Sequence, residues 1–216
     1  TVSVLAKDEP GGEGAESILE ARAAELRERL GDLLWGRDDE TLEGVVVREL
    51  SLRGQTLATA ESCTGGRLAS AVTSVPGASV VFRRGWVTYA DEAKVEELGV
   101  SIETLHAQGA VSEETARAMA EGARDKASAD WALAVTGIAG PDGGSSDKPV
   151  GQVWLALAGP NGSWAVERMQ WVRGGRLAIQ DGSVRDCLEI LRRELAGLPR
   201  LAERPANRVA RLPGDA

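Results

Sequence analysis

The chain contains 216 residues, carries a formal net charge of −8 at pH 7, and is 43% hydrophobic. Its length allows one ordinary domain with an appendage, its hydrophobic content is enough for a buried core, and its two cysteines fit a reducing cytoplasmic setting rather than a disulfide framework. The acidic balance disfavours a nucleic-acid binder, and without a run of about 18 apolar residues no membrane-spanning helix is expected.

The first part of the chain, residues 1–53, has its own pattern and most of the excess acidic side chains. Alternating and helical hydrophobic spacings both occur in it, which predicts a small α+β unit. Its predicted elements are a strand at residues 1–7, a helix at 15–30 closed by Gly31, a short strand at 33–35, and a helix at 42–53 capped by Thr41.

From Gln55 onward, strand patterns alternate with helix patterns, which predicts an α/β layer fold. The predicted strands are residues 56–61, 85–89, 131–135, 152–158 and 163–172. The predicted helices are residues 66–73, 91–98, 113–127 with Ser112 as N-cap, and 176–195. Residues 198–216, rich in Arg and Pro, predict a disordered tail rather than a binding arm.

Three loops with chemically useful residues each follow a predicted strand. The first, residues 59–66, combines hydroxyls, a thiol and two glycines before a helix. The second places Tyr89 at a strand end and Lys94 about one turn into the next helix. The third, residues 137–151, is rich in glycine and contains Lys148. If the strands are parallel, the loops share the sheet edge where α/β folds bind ligands.

Few residues are available as a catalytic base or metal ligand. The common hydrolase, phosphate-binding and metal-ligand motifs are absent, and the single histidine, His106, lies in a polar helical stretch, so a Ser–His–Asp triad is not expected. Lysine is rare in this arginine-rich chain, occurring only as Lys7, Lys94, Lys126 and Lys148. A serine nucleophile would therefore need a lysine as its base, a known variant of the triad.

Four ordered motifs resemble the CinA C-terminal domain family, whose characterised members are PncC-type nicotinamide-mononucleotide amidohydrolases. The motifs are residues 60–66, residues 87–94 with Val-Thr-Tyr and Glu-Ala-Lys, residues 109–113, and residues 137–144 with 148–151. The resemblance implies a three-layer α/β/α sandwich at residues 54–197, usually dimeric. It also implies hydrolysis of nicotinamide mononucleotide to nicotinate mononucleotide and ammonia, without a metal or other cofactor. Residues 1–53 resemble part of the KH-like connecting domain of longer CinA proteins.

The resemblance also assigns roles to individual residues. Ser62 matches the family's nucleophile and Lys94 its general base, with Tyr89 beside them. The substrate contacts implied are Thr64, Gly65, Gly66, Gly137, Lys148 and Arg176. Backbone N–H groups of residues 63–66 are expected to bind the oxyanion, and Lys94 must be buried to be partly neutral. The family's usual Gly-Asp-Arg is replaced here by Gly174-Gly175-Arg176, which changes the expected phosphate contacts.

Alternative interpretations remain for several of these residues and for the function. Cys63 is expected to be a small buried thiol rather than the nucleophile, and Ser112 an N-cap rather than a site residue. The glycines of residues 11–14 fit the loop of RNA-binding KH domains, but the acids around them favour a structural role. The alternative function is a non-catalytic interaction module of a competence- or damage-inducible CinA protein.

Overall fold

The computed structural model describes residues 4–7, 14–170 and 172–201 and divides into two compact units, Thr1–Glu40 and Thr41–Ala216. The sequence pattern predicts the boundary between the two units near residue 53, whereas the structure places it after Glu40. The difference arises because the helix Leu42–Leu52 belongs to the core of the second unit, where Val46 and Leu50 are fully buried. The tail predicted for residues 198–216 lies outside the described residues beyond Leu201.

The first unit contains helix α1 (Ala15–Leu30) and a 3₁₀ turn at Gly31–Leu33. The helix and its end are confirmed, since Gly31 has φ 53° and donates its N–H to the Arg27 carbonyl. The strand predicted at residues 33–35 is wrong because Leu34 bonds locally to Gly31 (3.1 Å) instead of pairing with a neighbouring strand. Residues 4–7 form no strand either, and residues 1–3 lie outside the described chain.

The second unit is built on one mixed five-stranded sheet in the order β2-β1-β3-β4-β5. The central strand β1 pairs in parallel with β2 and β3, whereas β4 runs antiparallel to β3 and β5. The strands are β1 (Leu57–Glu61), β2 (Phe82–Val87), β3 (Trp131–Gly137), β4 (Gln152–Gly159) and β5 (Gly162–Met169). All five predicted strands of this unit are present, and β5 is an edge strand as predicted.

Helices cover both faces of this sheet. Thr41 and Ser112 cap their helices as predicted, accepting the N–H groups of Gly44 (3.2 Å) and Thr115 (3.2 Å). The helices are α2 (Leu42–Leu52), α3 (Arg67–Thr73), α4 (Asp91–Leu98), α5 (Ile102–Gln108), α6 (Glu113–Ala127) and α7 (Gly175–Leu195).

The two faces of the sheet carry side chains of different size. One face presents leucine and valine, such as Leu133 and Leu155, to α2, α3 and α7. The other presents alanine, such as Ala134 and Ala156, to the alanine-rich side of α6. α6 also lies close to the end of α4, because a Cβ added at Gly122 would lie 1.9 Å from the Leu98 carbonyl oxygen. The predicted three-layer α/β fold is therefore confirmed.

The topology brings the three loops singled out in the sequence to one edge of the sheet. Glu61, the last residue of β1, pairs with Val87 of β2 on one side and Val135 of β3 on the other. Since the three strands are parallel, the segments that begin with Ser62, Thr88 and Ile138 all leave the sheet at its carboxyl edge.

Candidate functional site

Ser62 is the first residue beyond β1 and begins the turn that leads into α3. Its N–H donates to the Val135 carbonyl at 3.0 Å, which fixes the backbone against β3. Gly65 and Gly66 then adopt φ of 60° and 97°, a conformation that residues with side chains disfavour. The Ser62 side chain is left half-buried, and its hydroxyl has no hydrogen-bond partner among the described residues.

Glu61 organises the turn around Ser62, a role that the sequence alone did not suggest. Its carboxylate is fully buried and accepts the Thr64 hydroxyl (2.7 Å) and the N–H groups of Gly66 (3.0 Å), Leu68 (3.0 Å) and Ala69 (2.8 Å). An anion at a helix N-terminus is favoured by the helix dipole. The sequence signal was an acid at a strand end, three residues before a hydroxyl and six before a helix.

This carboxylate uses donors that were expected to bind substrate. Besides those bound to Glu61, the N–H of Gly65 donates to the Ser62 carbonyl (3.1 Å) and that of Arg67 to the Thr64 carbonyl (3.3 Å). The N–H of Cys63 donates to no other residue in the described part of the chain. The Thr64 N–H has no acceptor in the described part of the chain. The donors available to a ligand are thus the two N–H groups that follow Ser62, not the whole turn.

Gln180 of α7 reaches the same turn. Its side chain is 8% exposed, and its Nε2 donates to the Cys63 carbonyl at 2.7 Å. The next residue, Asp181, forms an exposed ion pair with Arg67 of α3 at 2.8 Å. One hydrogen bond and one ion pair therefore hold α7 against the segment that carries Ser62.

Lys94 lies one turn into α4, and its side chain is only 1% exposed. The Nζ donates to the carbonyls of Thr88 (3.1 Å), Tyr89 (3.3 Å) and Ala90 (3.4 Å), and pairs with Asp91 (3.3 Å), a residue whose side chain is largely exposed. The predicted lysine is therefore buried at the same sheet edge as Ser62. Across the described residues, however, no direct hydrogen bond joins the two side chains.

Tyr89 and Arg176 are linked to each other rather than to Lys94. Arg176 Nη2 donates to the Tyr89 hydroxyl (2.7 Å), and Nη1 donates to the Gly140 carbonyl (2.8 Å). Arg176 thus connects the loops that follow β2 and β3, and both its side chain and that of Tyr89 remain exposed. The structure brings these two predicted residues together at the rim of the site.

Other predicted substrate contacts are occupied by structural interactions. Lys148 Nζ donates to the carbonyls of Gln108 (2.7 Å) and Val111 (2.8 Å), which ties the glycine-rich loop to the segment before α6. At Gly137 an added Cβ would lie 2.8 Å from the Gln152 carbonyl oxygen, so glycine is needed there for the close approach of β4. The hydroxyl of Thr64 is bound to the buried carboxylate described above.

The thiol next to Ser62 is not set up as a nucleophile. Burial raises the pKa of Cys63 to about 12, so the thiolate is scarce at neutral pH. The other thiol, Cys187, is fully buried, and burial raises its pKa as well. Both cysteines are free. The prediction of a small buried thiol at Cys63 is therefore confirmed.

In residues 4–7, 14–170 and 172–201, no helix has the length and apolarity needed to cross a membrane. The same ranges contain no group of three or more His, Cys, Asp or Glu side chains that could hold a metal ion.

Comparison with known proteins shows a consistent family relationship. A CinA-like protein of Prochlorococcus marinus is 49% identical over 183 residues, covering 85% of this chain and 43% of that protein. A CinA-like protein of Anaeromyxobacter sp. is 50% identical over 181 residues, covering 84% and 44%. The crystal structure of the competence/damage inducible protein CihA from Agrobacterium tumefaciens matches with a TM-score of 0.69 and 46% identity, covering 76% of this chain and 98% of that one.

The extent of these matches defines what is shared. The chain spans less than half the length of the curated relatives it matches, but nearly the whole of the solved structure. A family model described as the CinA C-terminal domain matches residues 39–195, which include the entire sheet and the Ser62 turn. The chain belongs to the CinA C-terminal domain family.

Proposed function

We propose that this protein is a serine–lysine amidohydrolase that converts nicotinamide mononucleotide to nicotinate mononucleotide and ammonia. The observation that carries the proposal is the burial of Lys94 at the sheet edge where the half-buried Ser62 hydroxyl lies. Burying an amine costs free energy, so a lysine without a chemical role is not expected at such a position. The family resemblance suggests the substrate, and the burial of Lys94 at this sheet edge supports the choice of reacting groups.

The reaction divides into two steps at Ser62. In the first, Lys94 accepts the hydroxyl proton, and the Ser62 oxygen attacks the carboxamide carbon. The resulting oxyanion accepts hydrogen bonds from the N–H groups of Cys63 and Thr64. The carbon–nitrogen bond then breaks, and ammonia leaves with the proton from Lys94. In the second step, water gives a proton to Lys94 and attacks the ester, and nicotinate mononucleotide leaves as the proton returns to Ser62.

Lys94 must be neutral when it accepts this proton. In the structure its Nζ is a donor to four oxygens, an arrangement suited to an ammonium ion. A neutral amine has only two N–H groups, so it keeps two of these contacts and frees a lone pair for Ser62. The contact with Asp91 is the most exposed of the four, and it is the one expected to be lost first.

The nucleotide phosphate is expected at the exposed side of Arg176. Two of the nitrogens of this guanidinium already bind Gly140 and Tyr89, which holds the group in place with donors remaining for an anion. The replacement of the usual acid before Arg176 by Gly175 removes a negative charge from this region.

The direct test is ammonia release from nicotinamide mononucleotide by the purified protein. Ser62→Ala should abolish turnover, and so should Lys94→Arg, because arginine keeps the positive charge but cannot act as a base at neutral pH. The matched controls are Ser70→Ala on the exposed side of α3 and Lys126→Arg on the exposed side of α6, which should retain full turnover. Normal turnover by the Ser62 variant would refute the mechanism.

A second candidate is a non-catalytic interaction module, favoured by the lack of a hydrogen bond between Ser62 and Lys94. The two functions differ in whether the site binds a nucleotide. Millimolar nicotinate mononucleotide should raise the melting temperature of an amidohydrolase, because a ligand that binds only the folded state stabilises it. An unchanged melting temperature together with no ammonia release would favour the interaction module.

A further inference from the structure

Gln180 is one of several polar side chains on the buried side of α7. It is 8% exposed, and it reaches from α7 to the backbone of a residue 117 positions earlier, Cys63. The 2.7 Å bond from its Nε2 to the Cys63 carbonyl is short for an amide donor.

The bonded carbonyl belongs to the peptide group that also contains the Thr64 N–H. A peptide group is planar, and in the trans form its C=O and N–H point in opposite directions. Fixing the Cys63 carbonyl toward Gln180 therefore fixes the Thr64 N–H on the opposite side. That N–H, like the N–H of Cys63, has no acceptor among the described residues, and it follows Ser62 by two positions.

Two other contacts flank this peptide without touching its carbonyl: the Gly65 N–H donates to the Ser62 carbonyl (3.1 Å), and the Thr64 hydroxyl donates to Glu61 (2.7 Å). Glu61 also holds the N–H groups of Gly66, Leu68 and Ala69, which lie beyond Gly65. Within this turn the Cys63–Thr64 peptide can still tilt, through ψ of Cys63 and φ of Thr64, unless its own carbonyl is held. The bond from Gln180 is the only contact with this carbonyl in the described structure.

From this arrangement we infer that Gln180 is a positioning residue for the oxyanion-binding N–H groups beside Ser62. It touches neither substrate nor the reacting atoms, and it acts by holding the Cys63–Thr64 peptide so that the Thr64 N–H faces the oxyanion. The inference rests on the proposed function only in taking Ser62 as the nucleophile. It does not depend on which carboxamide is the substrate.

The test uses Gln180→Met, which keeps the length and shape of the side chain but removes the donor. The matched control is Asp181→Asn, which weakens the neighbouring link between α7 and α3 without touching the Cys63 carbonyl. Amide ¹⁵N resonances give a readout that needs no reaction, because the Thr64 nitrogen responds to hydrogen bonding of the carbonyl in its own peptide group. This resonance should move in Gln180→Met and stay in place in Asp181→Asn.

The kinetic readout is the rate at which a fluorophosphonate probe labels Ser62, followed by mass spectrometry. Losing one oxyanion donor typically lowers rates by about a hundredfold or more, so misorienting one should slow labelling by about tenfold. With nicotinamide mononucleotide, kcat should fall by a similar factor while KM stays within about twofold, because the contact acts in the transition state. Asp181→Asn should label and turn over like the parent protein.

The outcomes separate this inference from the proposed function. Ser62 labelling in the parent without ammonia release would contradict the substrate and leave the Gln180 test intact. Equal labelling rates in the parent and Gln180→Met, or an unmoved Thr64 resonance, would overturn the positioning role. If the labelling rates of Gln180→Met and Asp181→Asn fall equally, the positioning role is also overturned. Any loosening of α7 would then be enough to explain the slower labelling. A parent protein that is not labelled at Ser62 would overturn both proposals.

Discussion

Replacing Glu61 by glutamine should destabilise the fold although it barely changes the shape of the side chain. The carboxylate is fully buried and accepts four hydrogen bonds, three at Oε2 and one at Oε1. A glutamine amide has one accepting oxygen and one nitrogen that only donates. Its best orientation places the oxygen where Oε2 was, so the Ala69 N–H loses its acceptor and faces a second donor.

The size of the effect follows from these four bonds. An unsatisfied buried N–H costs about 1–3 kcal/mol, and the loss of charge weakens each of the other three bonds by about 1 kcal/mol. These contributions add to about 5 kcal/mol. Removing a buried charge recovers part of its desolvation cost, so we expect a net loss of about 3 kcal/mol in the free energy of unfolding. For a chain of this size, that corresponds to a melting temperature lower by about 6–12 °C.

The assay is urea denaturation followed by far-UV circular dichroism, with thermal melting as a second measurement. The matched control is Glu114→Gln in the first turn of α6, where an exposed carboxylate also lies near a helix N-terminus. That change should cost less than about 1 kcal/mol, because it removes a dipole interaction without leaving a buried donor. If Glu61→Gln loses no more stability than Glu114→Gln, the reasoning about the buried carboxylate is wrong.

Three further predictions concern other parts of the second unit. Since burial raises the pKa of the Cys63 thiol to about 12, iodoacetamide at pH 8 should modify it far more slowly than a free thiol, and rapid alkylation of the folded protein would contradict this. Hydrogen bonds from Thr56 lower the pKa of Asp130 below its usual 3.8, so Asp130→Asn should cost about 1 kcal/mol above pH 4 and progressively less as the pH falls through the lowered pKa; a loss in urea denaturation that is independent of pH would exclude this interpretation. Gly122→Ala should cost about 3 kcal/mol or more, because its Cβ would lie 1.9 Å from the Leu98 carbonyl oxygen, and an unchanged melting temperature would show that α6 can shift freely.

Much of the fold could be predicted because its signals are local. The end of α1 at Gly31 and the N-caps Thr41 and Ser112 depend on residues within one turn of each helix. The convergence of the three loops required only that strands joined by helices lie parallel, which β1, β2 and β3 do. The burial of Lys94 could also be anticipated, since the chemistry assigned to it demands a desolvated amine.

The errors and omissions have non-local causes. Residues 33–35 contain apolar side chains suitable for a strand, but the sequence cannot reveal that no neighbouring strand pairs with them. The helix at residues 42–52 precedes the strand–helix alternation that begins at Gln55, whereas its packing on α7 places it in the second unit. The contact between Gln180 and Cys63 joins residues 117 positions apart, and no local pattern marks it. The role of Glu61 depends on the path of the turn that its own hydrogen bonds define.

The unequal faces of the sheet should give the protein two opposite kinds of mutational tolerance. On the leucine and valine face, truncating Leu133 or Leu155 to alanine opens a cavity and costs about 2–5 kcal/mol, whereas exchange among large apolar residues is cheap. On the alanine face, Ala134 and Ala156 have nothing to lose by truncation, and it is enlargement that forces α6 away. Sequence drift at the alanine positions that face α6 is therefore restricted to small residues, while the opposite side of the sheet can exchange volume between neighbours.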